Sequence, residues 1–324
     1  MARRAAVVTG LIATAALAAA LLVPRRANAQ AFQLFGATGS NGVNGTLYRI
    51  DPATAAATAI GPVTVGGTGV PITGLAVHPT TGVLYAVTGQ GGNLPGLLLT
   101  IDKTTGLATS IGSLSIATTH CGGSAGIVGD ISFTSSGILY GAGPCGPSSD
   151  GNLYTIDLTT GAATFVGAIN HGTSKTGFGL SFLPLFNGPQ QLFVFPEPVQ
   201  SNMYQIDPTN GAILNTITLS GGIFEDSINA ATTDPAGTRL LGVMSNRSSS
   251  PTTNSLVSVD PVTGAITSIG PLPGDMDSLA VSRATKSTAA PLLSPSTGLG
   301  QVSLLFLVAA MLLGGASCMR RAAD

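Results

Sequence analysis

Acidic side chains are scarce in this sequence and unevenly placed. Of its 14 Asp and Glu, five (Asp51, Asp102, Asp157, Asp207 and Asp260) occupy the same place in a recurring phrase. Asp234 sits in another turn and Asp324 in the C-terminal tail, which leaves seven: Asp130, Asp150, Glu197, Glu225, Asp226, Asp275 and Asp277. Carboxylates gathered at one point can hold a hard cation such as calcium. A pair facing each other across a cleft can act as acid and base in glycoside cleavage. Carboxylates that accept backbone amides merely cap strand starts and loops. The elements that carry these seven residues decide among the three.

Other reactive patterns are weaker. Gly122 to Gly126 reads G-G-S-A-G beside His120, a match to the nucleophile elbow, but that motif needs a strand-to-helix turn and no helix pattern follows. His78, His120 and His171 are too scattered for a metal site of known spacing. "GDMDS" at Gly274 has the start of a calcium loop without its downstream Glu. Asn44 and Asn246 begin glycosylation sequons by pattern alone. The irregular loops offer few aromatics beyond Phe195 and Phe224, which argues against a lectin.

The phrase itself is architectural. "LYTIDLTTGAATFVG" begins at Leu153, and near copies begin at Leu47, Leu98, Met203 and Leu256. "LYTID" alternates apolar and polar residues, as a half-buried strand does. The Asp accepts amides two residues on, Pro presets φ where present, and Gly takes the left-handed position that ends the turn. The five aspartates are 51, 55, 50 and 53 residues apart. A second hairpin lies between copies, as in "ITGLAVHPTTGVLYAVTG" from Ile72 and "VGDISFTSSGILYGAG" from Val128. Two hairpins in about 50 residues make a four-stranded propeller blade; a β-helix has shorter coils.

The last copy is followed by one strand, "DSLAVS" at Asp277, and its missing partner is "AFQLFGATG", Ala31 to Gly39. The chain is therefore read as an all-β, five-bladed propeller over residues 32–282, its fifth blade closed by N-terminal strands so that no sheet edge is left open at the seam. It resembles the exported bacterial propellers with "LYxIDxxTG" repeats, and is similar to the YVTN and quinoprotein-dehydrogenase-like propeller superfamily. The resemblance implies a fold; such repeats occur in binding, structural and enzymatic proteins alike.

Both ends read as targeting segments. Arg3 and Arg4, a long Ala/Leu run and Ala27-Asn28-Ala29 make residues 1–29 a signal peptide, with an uncleaved anchor as the alternative. Residues 283–298 form a polar linker, residues 299–319 an uncharged stretch long enough to cross a bilayer, and residues 320–324 a tail opening with Arg320 and Arg321. "LLSPSTG", span and basic stop in that order resemble exosortase- and sortase-type sorting signals. Pro-Glu-Pro is missing for the first, and Ser294 stands where the second has Leu. The expected location is the cell envelope or surface, anchored or released after processing. Cys121 and Cys145 are then the exported cysteines, expected to form a disulfide.

Propeller topology sorts the loops. Turns within each hairpin open on one face, while the loops joining second to third strands, and the links between blades, open on the other. All seven remaining carboxylates fall in loops of that second, irregular face. Asp130, Glu225, Asp226, Asp275 and Asp277 are the ligand-binding candidates, and Asp130, Asp226 and Asp277, at or beside channel-lining strands, are the side chains expected to hold a calcium ion. A net charge of −1 gives no basic footprint for nucleic acid. The expected function is a binding or structural module acting through the irregular face on a cell-envelope or matrix component, protein or polysaccharide. The alternative is a glycan hydrolase using channel-mouth carboxylates.

Overall fold

The computed structural model describes residues 32–39, 42–116, 128–144, 151–171, 178–184, 189–196, 201–221, 226–234, 236–246 and 253–283. The signal peptide, linker, membrane segment and tail expected at the two ends lie outside these residues, as do Cys121, Cys145 and the G-x-S-x-G stretch.

Among the described residues, twenty-two strands form five sheets arranged as blades, each blade's four main strands antiparallel. Blade 1 holds β6 (Ile72–Val77), β7 (Leu84–Thr88), β8 (Leu97–Ile101) and β9 (Leu107–Ser113). Blade 2 holds β10 (Asp130–Phe133), β11 (Leu139–Pro144), β12 (Gly151–Ile156) and β13 (Ala163–Ile169). Blade 3 runs through β14 (Phe178–Leu183), β15 (Gln191–Pro196), β16 (Asn202–Ile206) and β17 (Ile213–Thr218). Blade 4 runs through β18 (Asp226–Thr233), β19 (Leu240–Asn246), β20 (Thr253–Val259) and β21 (Ile266–Leu272). Blade 5 takes β22 (Met276–Arg283) from the C-terminal side and β1 (Phe32–Thr38), β2 (Thr46–Ile50) and β3 (Ala57–Pro62) from the N-terminal side.

Closure follows the expected strand order. Strand β1 lies between β22 and β2, with Phe35 opposite both Ala280 and Arg49. The first strands β22, β6, β10, β14 and β18 succeed one another around the axis.

The core is divided by seam. One buried cluster fills each junction between neighbouring blades: Phe35, Leu47 and Leu75 between blades 5 and 1; Val87, Phe133 and Tyr154 between 1 and 2. Leu153, Leu180 and Phe182 fill the junction of 2 and 3, Phe193, Met203 and Leu240 that of 3 and 4, and Leu34, Leu256 and Leu279 that of 4 and 5. Both faces of each sheet are thus covered. This corrects the half-buried reading of "LYTID": Leu153 and Tyr154 point to opposite seams, and both are buried. With the blade faces covered by their neighbours, a charged fraction of 8% suffices for the surface left in water.

The repeated phrase also joins blades. A Cβ on Gly112, ten residues after Asp102, would lie 2.0 Å from the Thr160 carbonyl oxygen in the next blade's Asp turn. Gly61, Gly167 and Gly270 receive the turns at Thr105, Asn210 and Thr54 in the same way. The phrase ends in Gly because the next blade's turn sits against its backbone. One element was not expected: a small hairpin, β4 (Thr64–Val65) and β5 (Thr68–Gly69), extends blade 1, with β4 running parallel to the start of β9. Gly66 and Gly67, both at positive φ, were its sequence signal.

Candidate functional site

The hairpin face is locked by its own side chains. Asp102 Oδ1 accepts the amides of Thr104 and Thr105 at 2.7 and 3.1 Å and the Thr104 hydroxyl at 2.6 Å. Asp157 accepts the Thr159 and Thr160 amides, both at 2.8 Å; Asp207 accepts Thr209, Asp260 accepts Val262 and Thr263, and Asp51 accepts Ala53. These bonds favour the ionised form, so the carboxyls of Asp102, Asp157, Asp207 and Asp260 lie below the usual range, led respectively by the Thr104 hydroxyl, the Thr160 amide, the Thr209 hydroxyl and the Thr263 amide. In the turn after Val77, His78 does the same job, its Nδ1 accepting Thr80 and Thr81 at 3.2 Å.

Asp130 is different in every respect. It is fully buried on the propeller axis. The first strands of neighbouring blades are not paired to each other by backbone, so amides turned toward the axis need other acceptors. Asp130 Oδ2 accepts Leu180 N of blade 3 at 2.9 Å and Ala231 N of blade 4 at 3.0 Å, and Oδ1 accepts Ile131 N at 2.9 Å. One carboxylate thereby ties blades 2, 3 and 4, two of which are not neighbours. Ser132 Oγ accepts Phe182 N at 3.1 Å and Thr232 Oγ1 accepts Val281 N at 3.3 Å, each across a seam. Burial pushes the Asp130 carboxyl well above the usual range, opposed by the amides of Leu180, Ala231 and Ile131 and reinforced by the nearby charge of Asp277.

Above Asp130, toward the loop face, the first strands carry irregularities: the pairing skips Thr73 in β6, Asn229 in β18 and Asp277 in β22. Bulges re-aim side chains at strand ends. Thr73 Oγ1 donates to Val128 O at 3.3 Å. Asn229 is 7% exposed; its Nδ2 lies 2.8 Å from Ser245 Oγ and 3.4 Å from Asp277 Oδ1, and its Oδ1 lies 2.9 Å from Ser227 Oγ. The loop-face end of the axis is therefore polar, with half-buried Asp277 at its border.

The predicted site residues occupy different settings. Asp130 is on the axis and Asp277 at the mouth, near enough for charge to be felt. Asp226 opens β18 opposite Asn246. Asp275 has φ 59° and its carbonyl accepts Gly39 N at 3.0 Å, helping close blade 5. Glu225, Asp150 and Glu197 lie outside the described residues. Among the described residues, no three His, Cys, Asp or Glu come together as a metal-holding group. Sequence reasoning missed Asn229, Ser132 and Thr232, whose roles are visible only once the axis is known, since first strands such as β10 (DISF) and β18 (DSINAATT) hold several polar residues each.

No family model matches the chain, and no curated protein does. Among solved structures it is similar to hydrazine synthase of Kuenenia stuttgartiensis (15% identity, TM-score 0.40, 69% of this chain and 59% of that one). It is similar to a chain of a nidogen/laminin complex (12% identity, TM-score 0.44, 78% of this chain and 98% of that one). An oligogalacturonate lyase in complex with manganese matches at 17% identity and TM-score 0.36 over 71% of this chain and 60% of that one. The chain thus spans about three-fifths of the first and third of these proteins.

Proposed function

We propose that the chain is a binding or structural module, exported and held at the cell envelope, that engages an envelope or matrix component through its loop face. The observation that carries this reading is the state of Asp130. A catalytic pair needs two carboxylates that both reach substrate; the Asp130 carboxylate is fully buried and holds three amides. That disfavours the hydrolase alternative and leaves a rigid ring presenting loops, the usual arrangement for binding. The hairpin face contributes turns whose polar side chains are bonded to their own backbone. On the loop face, Val43 and Leu94 are 44% and 41% exposed on loops that touch where Gly42 meets Gly91.

The test measures binding of the full chain to separated envelope polysaccharide and protein fractions. A Val43→Glu, Leu94→Glu double variant should lose binding at least tenfold, while Thr159→Glu on the hairpin face should not. Equal loss in both, or no binding by the parent to any fraction, would refute the assignment.

A further inference from the structure

The loop joining β7 to β8 carries a backbone outlier at an exposed leucine. Leu94 has φ 49° and is 41% exposed. In that left-handed conformation the Cβ crowds the following carbonyl, and a bulky residue is seldom found there. Among the described residues, three other non-glycine residues have positive φ: Ala55 is buried, and Ser115 and Asp275 are polar. Glycine takes the conformation freely. It occupies positions 89, 91, 92 and 96 of the same loop, yet position 94 is Leu.

The rest of the loop holds Leu94 in place. Buried Thr88, at the end of β7, donates its hydroxyl to Leu94 O at 2.7 Å, and the same oxygen accepts Leu97 N at 2.9 Å. Gly96 N donates to Thr88 O at 3.2 Å, and Asn93 Nδ2 donates to Gly69 O at 3.2 Å. A Cβ on Gly92 would lie 2.7 Å from Pro71 Cδ, so the loop also rests against the link into β6. Leu97 supplies the loop's contact with the core between blades 5 and 1. These bonds run through backbone and through Thr88 and Asn93, and none of them needs a leucine at position 94. Backbone strain held by its surroundings in this way clusters at functional sites.

The chain around Leu94 narrows the partner. Residues 38–46, 62–73 and 88–97, which join β1 to β2, β3 to β6 and β7 to β8, contain no Asp, Glu, Lys, Arg or His and no aromatic ring. Without cations this sector has nothing to hold an acidic polymer, and without rings it has no platform on which a sugar face stacks. Depletion of charge around an apolar side chain is instead the composition of the centre of a protein–protein interface. An anchor already fixed on a bonded loop loses little freedom on docking. We propose that Leu94 is the anchor by which the loop face docks into an uncharged, apolar pocket of an envelope protein. This rests on the loop-face binding reading above and adds its partner class and its central contact.

The experiment measures binding of the full chain to solubilised envelope proteins and to envelope polysaccharide, at low and high sodium chloride, together with thermal melts. Leu94→Gly relieves the strained position, and Leu94→Asn, which also tolerates it, is the second variant. Both should melt no more than about 3 °C below the parent, or above it, yet lose binding to the protein fraction by about tenfold or more. Parent binding should change by less than about threefold between roughly 0.05 and 0.5 M salt, because no charge pair is broken. Variants that bind as the parent does would overturn the proposal, and a larger fall in melting temperature would do so by making Leu94 a packing residue. Binding confined to the polysaccharide fraction would overturn it while leaving the loop-face reading intact, and no binding to either fraction would overturn both.

Discussion

Aspartate appears in two settings in this propeller, and the same side chain has opposite electrostatics in each. Around the hairpin face it is repeated and bonded to backbone amides just ahead of it, and in Asp102, Asp157, Asp207 and Asp260 the carboxyl is held below the usual range. On the axis it occurs once, fully buried, and bonded to amides 50 and 101 residues away. Repetition is possible at the rim because each turn is locally complete. The axis has room for only one such side chain: where β10 has Asp130, the aligned first strands carry Gly74, Gly179, Ala230 and Ser278. A Cβ on Gly74 would already lie 2.9 Å from the Asp130 Cα.

Breaking the ring should have the largest effect. Deleting residues 31–39 removes β1, leaving β22 and β2 without their shared partner, and the protein should unfold or aggregate; a deletion variant that melts like the parent would refute strand closure. Asp130→Ala comes next. It orphans three buried amides and empties the axis, at a cost of about 3–5 kcal/mol in denaturant unfolding. Asp130→Asn, which keeps the shape, should cost less.

Gly112→Ala probes the rim from the other side. The added methyl meets the Thr160 carbonyl, and displacing the next blade's turn should cost about 1–3 kcal/mol. Asp157→Ala, at an exposed turn, should have the smallest effect, a slight lowering of the melting temperature that adding salt does not restore, since bonds to backbone rather than long-range charge are lost. A larger loss at Asp157 than at Asp130 would reverse the comparison.

The two settings also differ in their response to pH. The rim aspartates have lowered folded-state values, so the stability they contribute is present above the unfolded carboxyl value and is lost as pH falls through the folded ones. Asp130 has a raised folded-state value. Its contribution is fully present below the unfolded value and is lost as pH rises through the folded one. Subtracting the Asp130→Asn profile from the parent should therefore leave a curve that falls with pH.

What the sequence made legible follows from the same contrast. The blades could be read because Asp, Thr and Gly within five residues encode a turn without help from elsewhere. Closure could be read because "AFQLFGATG" and "DSLAVS" each lacked the partner that the repeat predicts. The axial lock could not be read: "VGDISF" looks like any capped strand start, and Leu180 and Ala231 contribute only backbone, which carries no sequence signal. Asn229 was likewise hidden, since its role depends on a bulge.

The most direct measurement is the titration of the Asp130 carboxyl itself, followed by carboxyl-carbon NMR with Asp130→Asn to assign the resonance. Burial and three amide bonds pull in opposite directions, and the structure has burial prevailing. The carboxyl should titrate well above the ordinary aspartate value of about 3.9, while Asp102, Asp157, Asp207 and Asp260 titrate below it. An Asp130 that titrates with or below those four would contradict the account.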